Sequence, residues 1–176
     1  PAAVRLCNHL ANVFALQLNG SRVIELGCGL GLPSIAALHL GAKEALLTDC
    51  GSDVAVATNA LSSSVFRSWA SSGQLRYREL SWGAGKAEEL LREEEERRGS
   101  QDQAAGEGVC GYDVVLCCDC VYEPFFGEEA WVLLADTVEV LIKRSGRGAG
   151  MAVMGMERRI EGMDGIDSFR GALEDR

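Results

Sequence analysis

The sequence has no uninterrupted apolar run of membrane-spanning length and no secretory signal pattern, so we expect a soluble protein without a membrane anchor. Positive charge is also in short supply, because 17 Lys and Arg residues against 26 Asp and Glu residues give a net charge of −9. This balance argues against a general nucleic-acid binder, which needs clustered basic side chains for the phosphate backbone. An acidic chain is better suited to a basic partner, such as a protein surface that presents lysine.

Histidine is scarce, and the cysteines do not form the two closely spaced pairs that are typical of a metal site. The two histidines, His9 and His39, fall in predicted helices, and we assign neither a catalytic role. The seven cysteines form an odd number in mostly apolar surroundings, which indicates reduced core thiols in a cytoplasmic or nuclear protein. Cys117 and Cys120 have a ligand-like spacing, but one such pair without a second is a weak signal, and we predict no metal site.

The 176 residues are enough for one domain with a substantial core, and we predict a single domain over residues 1–176. An opening helical pattern over residues 2–18 is followed by apolar, β-rich segments that alternate with helical ones. The predicted strands cover residues 22–26, 44–49, 74–80, 112–119 and 148–156. Repeated β-α units predict an α/β fold of the Rossmann-like, doubly wound type, with a mostly parallel sheet and helices on both faces.

Two connecting segments carry their own predictions. Residues 52–66 have a helical pattern, with Ser52 or Asp53 as the N-cap. Residues 84–108 are polar and rich in Glu and Arg, and we interpret them as a crossover helix with an acidic surface insertion. Neither segment shows an internal repeat.

Gly27, Gly29 and Gly31 stand at alternate positions where the first predicted strand meets a helix. Glycine costs backbone entropy, so such a cluster needs a local reason, either a tight turn or a ligand that touches the backbone. Open α/β sheets bind ligands at this position, beside a helix N-terminus. A dinucleotide favours G-x-G-x-x-G, and this pattern is met imperfectly. If it starts at Gly27, Leu32 stands at the third glycine position, and if it starts at Gly29, Ser34 stands there.

The stretch "ELGCGLG" is instead similar to the first motif of S-adenosylmethionine-dependent methyltransferases, with Glu25 as its acidic residue. Asp49 ends the second strand, where a carboxylate receives ribose hydroxyls in nucleotide-binding sheets; a helix cap is the other interpretation. Trp82 follows the third strand, as an adenine-stacking ring or a partly buried anchor. Asp119 and Tyr122 lie at the carboxyl end of the fourth strand and would face the transferred methyl, or else form a strand-end cap and a core tyrosine.

The segments "VIELGCGLGLPSIAAL", "LLTD", "NAL", "SWG" and "DCVYE", in this order, resemble the seven-strand protein-lysine methyltransferases of the methyltransferase-like 21 (family 16) group. The resemblance runs from about Ala3 to Glu157. It implies the class I methyltransferase fold, S-adenosylmethionine as cofactor and methylation of lysine in a non-histone protein. It places Glu25, Gly27, Gly29 and Gly31 in the cofactor loop, Asp49 at the ribose, Trp82 on the adenine side, and Asp119 and Tyr122 at the catalytic face.

The sequence departs from this family at both ends. The tryptophan-bearing segment before the first helix and the C-terminal edge hairpin are not readable, so we expect a sheet that lacks this hairpin. Because the chain begins at Pro1 rather than methionine, we expect a piece of a longer protein. We further expect a monomer in the cytoplasm or nucleus, whose partner is a lysine-bearing protein and not nucleic acid or membrane.

The resemblance suggests how these residues would act. A lysine amine has an ordinary pKa of about 10.4 and arrives charged, so it must lose a proton before attack. We expect Asp119 to attract and orient the ammonium and Tyr122 to accept a hydrogen bond or wall the lysine channel. Phe125 and Phe126 either line its rim or simply pack in a helix.

Other functions stay open at this point. They are an NAD-binding Rossmann protein, an interaction module that has lost catalysis, and a methyltransferase acting on a small molecule or nucleic acid. "DCVY" lacks the two prolines that follow the acid or amide in many base methyltransferases, and the chain is acidic. Both features favour a protein substrate.

Overall fold

The computed structural model describes residues 2–51, 66–99, 111–122, 127, 129–143, 150–159, 161 and 164–174. Most of the helix predicted over 52–66, the last part, 100–108, of the insertion predicted over 84–108, and Phe125 and Phe126 therefore lie outside the described residues. Within the described part of the chain, no helix is long and apolar enough to cross a bilayer.

Five parallel strands form one sheet in the order β3-β2-β1-β4-β5. They are β1 (Arg22–Leu26), β2 (Glu44–Asp49), β3 (Leu75–Glu79), β4 (Val114–Cys118) and β5 (Met151–Gly155). The chain winds outward from β1 in one direction to β3, and then returns to add β4 and β5 on the other side. Strand order reverses between β1 and β4, so their carboxyl ends flank a crevice of the kind in which open α/β sheets bind ligands.

The helices pack on the two faces of this sheet. The described ones are α1 (Ala2–Val13), α2 (Ala15–Leu18), α3 (Leu32–His39), α4 (Arg67–Ser72), α5 (Ala84–Gly99), α6 (Ala130–Lys143) and α7 (Ile166–Glu174). The opening helix was predicted to run on to Leu18, but it breaks at Phe14. The break turns Leu18 into the core, where it is fully buried, while Leu16 stays 90% exposed.

Alternation along the strands divides the core into two layers. In β1, Val23 packs with α1 and α3, whereas Ile24 and Leu26 pack with α5, α6 and α7 on the opposite face. Successive side chains of a strand point to opposite faces, so a strand covered on both sides is apolar along its length. The predicted doubly wound α/β class is thereby confirmed.

The crossover helix α5 has a more buried inner face than its composition indicates. Ala87, Leu90 and Leu91 lie in the core against the sheet. Glu94 lies on the same face at 1% exposure, where its carboxylate accepts two hydrogen bonds from the Arg76 guanidinium at 2.7 and 2.6 Å. The helix thus combines a solvated acidic face with one buried ion pair.

Candidate active site

The three glycines of the β1–α3 loop all adopt the left-handed conformation, with φ between 50° and 70°. Their surroundings differ. A Cβ at Gly27 would lie 2.8 Å from Cys120 Sγ, and one at Gly31 would lie 2.5 Å from Leu47 Cδ2. A Cβ at Gly29 would have no atom within 4 Å. The outer two glycines are required by close packing, whereas Gly29 lies against open space.

Asp49, at the carboxyl end of β2, holds this loop. Its Oδ2 accepts a hydrogen bond from the Gly29 amide at 2.8 Å, and its Oδ1 accepts one from the Cys50 amide at 2.9 Å. A carboxylate has about four lone-pair sites, so both oxygens can accept further hydrogen bonds. The structure therefore joins two predicted cofactor residues, with Asp49 beside the one glycine of the loop that faces open space.

Glu25 lies beneath the loop rather than on its surface. It is 1% exposed, and its Oε2 accepts a hydrogen bond from the Ser34 amide in the first turn of α3 at 2.9 Å. Burial raises the pKa of Glu25 to about 7, against the opposing effect of hydrogen bonding from Ser34 and with a smaller contribution from the charge of Asp49. Its described contact is with the helix N-terminus, which it ties to β1.

Trp82 reaches from the loop after β3 to the glycine loop. Its Cζ2 lies 3.6 Å from the position that a Cβ of Gly27 would occupy. The ring is half-buried against the core, and the next residue, Gly83, donates its amide to Thr137 Oγ1 of α6 at 2.7 Å. Trp82 is thus a half-buried anchor whose ring lies beside the glycine loop, and its stacking against adenine stays a prediction.

Asp119 adopts a strained backbone conformation. Its φ is 55°, and it is the one non-glycine residue with positive φ in the described ranges. Such strain persists where the surrounding structure imposes it, and it concentrates at functional sites. Here the Asp119 amide donates to the Gly155 carbonyl at 2.8 Å, so the turn is held against the end of β5.

The Asp119 carboxylate meets a residue that the sequence analysis missed. Arg159 Nη2 donates to Asp119 Oδ2 at 2.9 Å, and the Glu157 amide donates to Oδ1 at 3.1 Å. The Arg159 Cζ also lies 4.9 Å from the centroid of the Tyr122 ring. One guanidinium therefore joins the two predicted catalytic residues. Arg159 follows β5, and the carboxyl ends of parallel strands lie at the same edge of a sheet. This rule could have predicted from the sequence that Arg159 lies near Asp119.

Cys120 connects the acid–phenol pair to the glycine loop. It directly follows Asp119, and its Sγ donates to the Leu26 carbonyl at 3.0 Å and packs against Gly27. This contact was not foreseen from the sequence. Through it, the predicted catalytic and cofactor residues lie at one edge of the sheet.

Cys28 and Cys117 are buried thiols near this edge that are held in their neutral form. Burial raises the pKa of Cys28, together with the nearby charges of Glu25 and Asp49. Hydrogen bonding with Cys120, followed by burial, raises the pKa of Cys117. Because the thiolate is the form that binds metals and attacks electrophiles, these cysteines act as core residues. Among the described residues, no three His, Cys, Asp or Glu side chains form a metal-binding group.

The glycine-bearing part of the sequence matches a family of methyltransferases. Residues 4–65 match the model for "Ribosomal protein L11 methyltransferase (PrmA)". The ribosomal protein L11 methyltransferase of Pseudomonas putida (strain GB-1) is 58% identical over 33 residues, or 19% of this chain and 11% of that protein. Over a longer alignment of 151 residues, the chain is 32% identical to "Secreted RxLR effector protein 48" of Plasmopara viticola. That alignment covers 82% of this chain and 66% of the effector.

Solved structures share the architecture at low sequence identity. A ribosomal protein L11 methylase from Lactobacillus delbrueckii subsp. bulgaricus superposes with a TM-score of 0.51 and 18% identity, over 99% of this chain and 65% of that one. A crystal structure of PRMT6-SAH gives a TM-score of 0.53 and 15% identity, over 77% of this chain and 38% of that one. The chain thus spans about two thirds or less of each of these proteins.

These likenesses agree with the geometry of the glycine loop. The expected class I fold is confirmed, and the comparisons support a methyltransferase with S-adenosylmethionine as its cofactor. The methyltransferase-like 21 group and lysine as the acceptor stay predictions. The chain has the fold of the class I S-adenosylmethionine-dependent methyltransferases, and it carries its glycine loop in the segment that is similar to the ribosomal protein L11 methyltransferases.

Proposed function

We propose that the protein transfers a methyl group from S-adenosylmethionine to a lysine side chain of a non-histone protein, as the resemblance to the methyltransferase-like 21 group implies. One observation carries the proposal. The open glycine loop after β1 and the Asp119–Tyr122 pair after β4 lie at the same sheet edge, on either side of the strand reversal, and Cys120 joins them.

The residues present fit an adenosyl cofactor. The open space at Gly29 accepts a ligand against bare main chain, which any side chain at this position would obstruct. In this proposal Asp49, which accepts a hydrogen bond from the Gly29 amide, receives the ribose hydroxyls, and the Trp82 ring beside Gly27 lies on the adenine side. When bound, S-adenosylmethionine supplies an electrophilic sulfonium methyl.

The acceptor side requires a cation to be received, oriented and deprotonated. The Asp119 side chain is 30% exposed, so its carboxylate can attract an ammonium group from solvent. The Tyr122 ring beside it provides a π face for the same cation. Because the Asp119 carboxylate favours the charged form of the lysine, the ammonium must give up a proton to water before the neutral amine can attack the methyl group.

A protein substrate agrees with the composition and with the names of the relatives. The net charge of −9 favours a basic partner over nucleic acid. Both the L11 methyltransferases and the L11 methylase are named for a protein that they act on.

We further propose that the present protein acts in the cytoplasm as a monomer.

Calorimetric titration with S-adenosylmethionine, its demethylated product S-adenosylhomocysteine (SAH) and NADH tests which cofactor the protein binds. We expect S-adenosylmethionine and SAH to bind and NADH not to bind. Asp49→Ala should weaken binding about 10- to 100-fold, as for the loss of a hydrogen bond to a charged group. Binding of NADH alone would identify a dinucleotide protein, and no binding of any ligand would favour an interaction module.

Transfer is tested by incubating the protein with tritiated S-adenosylmethionine and cell extract, followed by identification of the labelled residue. Asp119→Asn should abolish labelling and leave SAH affinity within about twofold, because Asp119 is not among the residues assigned to the cofactor. Asp167→Asn is the matched control, since it breaks the neighbouring exposed Arg158–Asp167 pair. Full activity of Asp119→Asn, or label on a residue other than lysine, would contradict the proposal.

A further inference from the structure

The segment after β5 closes over the predicted acceptor site. Both oxygens of Asp119 accept hydrogen bonds from this segment, one from the Glu157 amide and one from the Arg159 guanidinium. The same guanidinium lies over the Tyr122 ring, with its Cζ 4.9 Å from the ring centroid. Asp119 and Tyr122 therefore already bind a cation, and that cation belongs to the chain itself.

Arg159 has a fixed backbone and a partly exposed side chain. Its backbone amide donates to Asp164 Oδ2 at 3.3 Å, and Asp164 is 1% exposed. Its side chain, in contrast, is 46% exposed. A half-exposed ion pair and an exposed cation–π contact are each weak interactions in water. The side chain can therefore leave Asp119 while the backbone of the segment stays in place.

The neighbouring arginine is held differently. Arg158 forms a two-pronged pair with Asp167 of α7, at 2.8 and 2.6 Å, and it makes no described contact with Asp119 or Tyr122. Two adjacent arginines of equal charge thus have separate partners. Of these two arginines, it is Arg159 that places its cation between the two residues assigned to the acceptor site.

We propose that Asp119 and Tyr122 form a subsite for a cationic side chain, and that Arg159 occupies it as an internal competitor which the substrate side chain displaces. The occupant is a protein-borne alkyl cation, ammonium or guanidinium. Arg159 lowers the apparent affinity of the subsite for a substrate side chain, because every entering cation must first replace the Arg159 guanidinium. This inference rests on the proposed function, since it takes Asp119 and Tyr122 as the acceptor side.

Fluorine NMR tests the displacement without cofactor or methyl transfer. The sequence has three tyrosines, Tyr77, Tyr112 and Tyr122, so 3-fluorotyrosine labelling gives few resonances, and Tyr122→Phe identifies the relevant one. Tyr112 is fully buried and serves as an internal reference. The probes are n-butylammonium and n-butylguanidinium chloride, titrated at constant chloride concentration.

We expect each bound probe to shift the Tyr122 resonance in a saturable way. The midpoint should be about three- to tenfold lower in Arg159→Gln than in the unmodified protein, as expected for removing a weak competitor. Arg158→Gln should match the unmodified protein, and Asp119→Asn should show no saturable shift. If only one probe shifts the resonance, the subsite selects that cation class.

Two results would overturn the inference. One is an equal midpoint in the unmodified protein, Arg158→Gln and Arg159→Gln, and the other is a Tyr122 resonance that no probe moves. Urea unfolding of each variant confirms that the fold is retained. Calorimetry with SAH on the same samples tests the cofactor separately, so a failure of the cation subsite is distinguishable from a failure of the methyltransferase assignment.

Discussion

At the scale of single residues, the three glycines of the loop after β1 serve different purposes although they share one backbone conformation. Gly27 and Gly31 are needed because Cys120 and Leu47 pack where their side chains would be. Gly29 has no such neighbour, and its amide is instead held by Asp49. The motif therefore contains two packing positions and one position that is open to a ligand.

This difference predicts unequal losses of stability. Gly31→Ala combines the left-handed strain of an L-residue with overpacking against Leu47, and it should reduce the free energy of unfolding by about 2–4 kcal/mol. Gly29→Ala carries only the strain, about 1–2 kcal/mol. Urea unfolding measures both variants. Equal losses, or a larger loss for Gly29→Ala, would contradict the packing assignment.

At the scale of secondary-structure elements, α5 is joined to β3 by a buried ion pair. Burial alone would raise the pKa of Glu94, but hydrogen bonding and charge from Arg76, with help from Arg97, outweigh it and lower the pKa. Arg97 Nη2 lies 3.1 Å from Glu94 Oε2, on the same helix. The carboxylate thus stays charged inside the protein because it has more than one cationic partner.

Removing Glu94 should therefore be costly. Glu94→Ala leaves Arg76 partly buried without its main partner, and it should reduce the free energy of unfolding by about 3 kcal/mol. Glu95→Ala, at the next and exposed position of α5, is the matched control and should change it by less than about 0.5 kcal/mol. Chemical denaturation at neutral pH compares the two variants. Similar values for both would show that the ion pair does not stabilise the packing of α5.

At the scale of the whole molecule, Glu25 links global stability to pH. Burial raises its pKa from the ordinary 4.5 to about 7, so folding favours the protonated form. The resulting stabilisation is fully present below about pH 4.5 and is lost as the pH rises through about 7. An interval of this size corresponds to about 3 kcal/mol in the free energy of unfolding.

Glu25→Gln removes this dependence because the amide cannot ionise. Relative to the unmodified protein, the variant should gain about 3 kcal/mol in unfolding free energy between about pH 4.5 and pH 8. Urea unfolding of both proteins at both pH values gives the difference in unfolding free energy between variant and unmodified protein. The other carboxylates contribute equally to the two proteins, so their contribution cancels in this difference. A pH-independent difference would show that Glu25 is charged at neutral pH in the folded protein.

Much of the architecture follows from local pattern. β1 and β2 begin and end at the residues that the sequence predicts, 22–26 and 44–49, because β-branched and apolar runs there are bounded by turn residues. Of the strand predicted over 148–156, residues 148 and 149 lie outside the described residues, and among the others the strand covers Met151–Gly155, without Gly150 and Met156. Apolar composition marks the buried part of a strand, but pairing with a neighbour decides where the strand ends.

The sequence by itself determined the α/β class, the position of the glycine loop and the sheet edge that carries the predicted site. These features depend on short-range properties, namely hydrophobic period and the left-handed freedom of glycine. The tertiary structure alone decided that Arg159 meets Asp119 and Tyr122, that Glu25 and Glu94 are buried, and that Asp119 is strained. Such contacts join residues far apart in the chain, and they depend on strand order and on how much charge each fold position can bury, which no local pattern encodes.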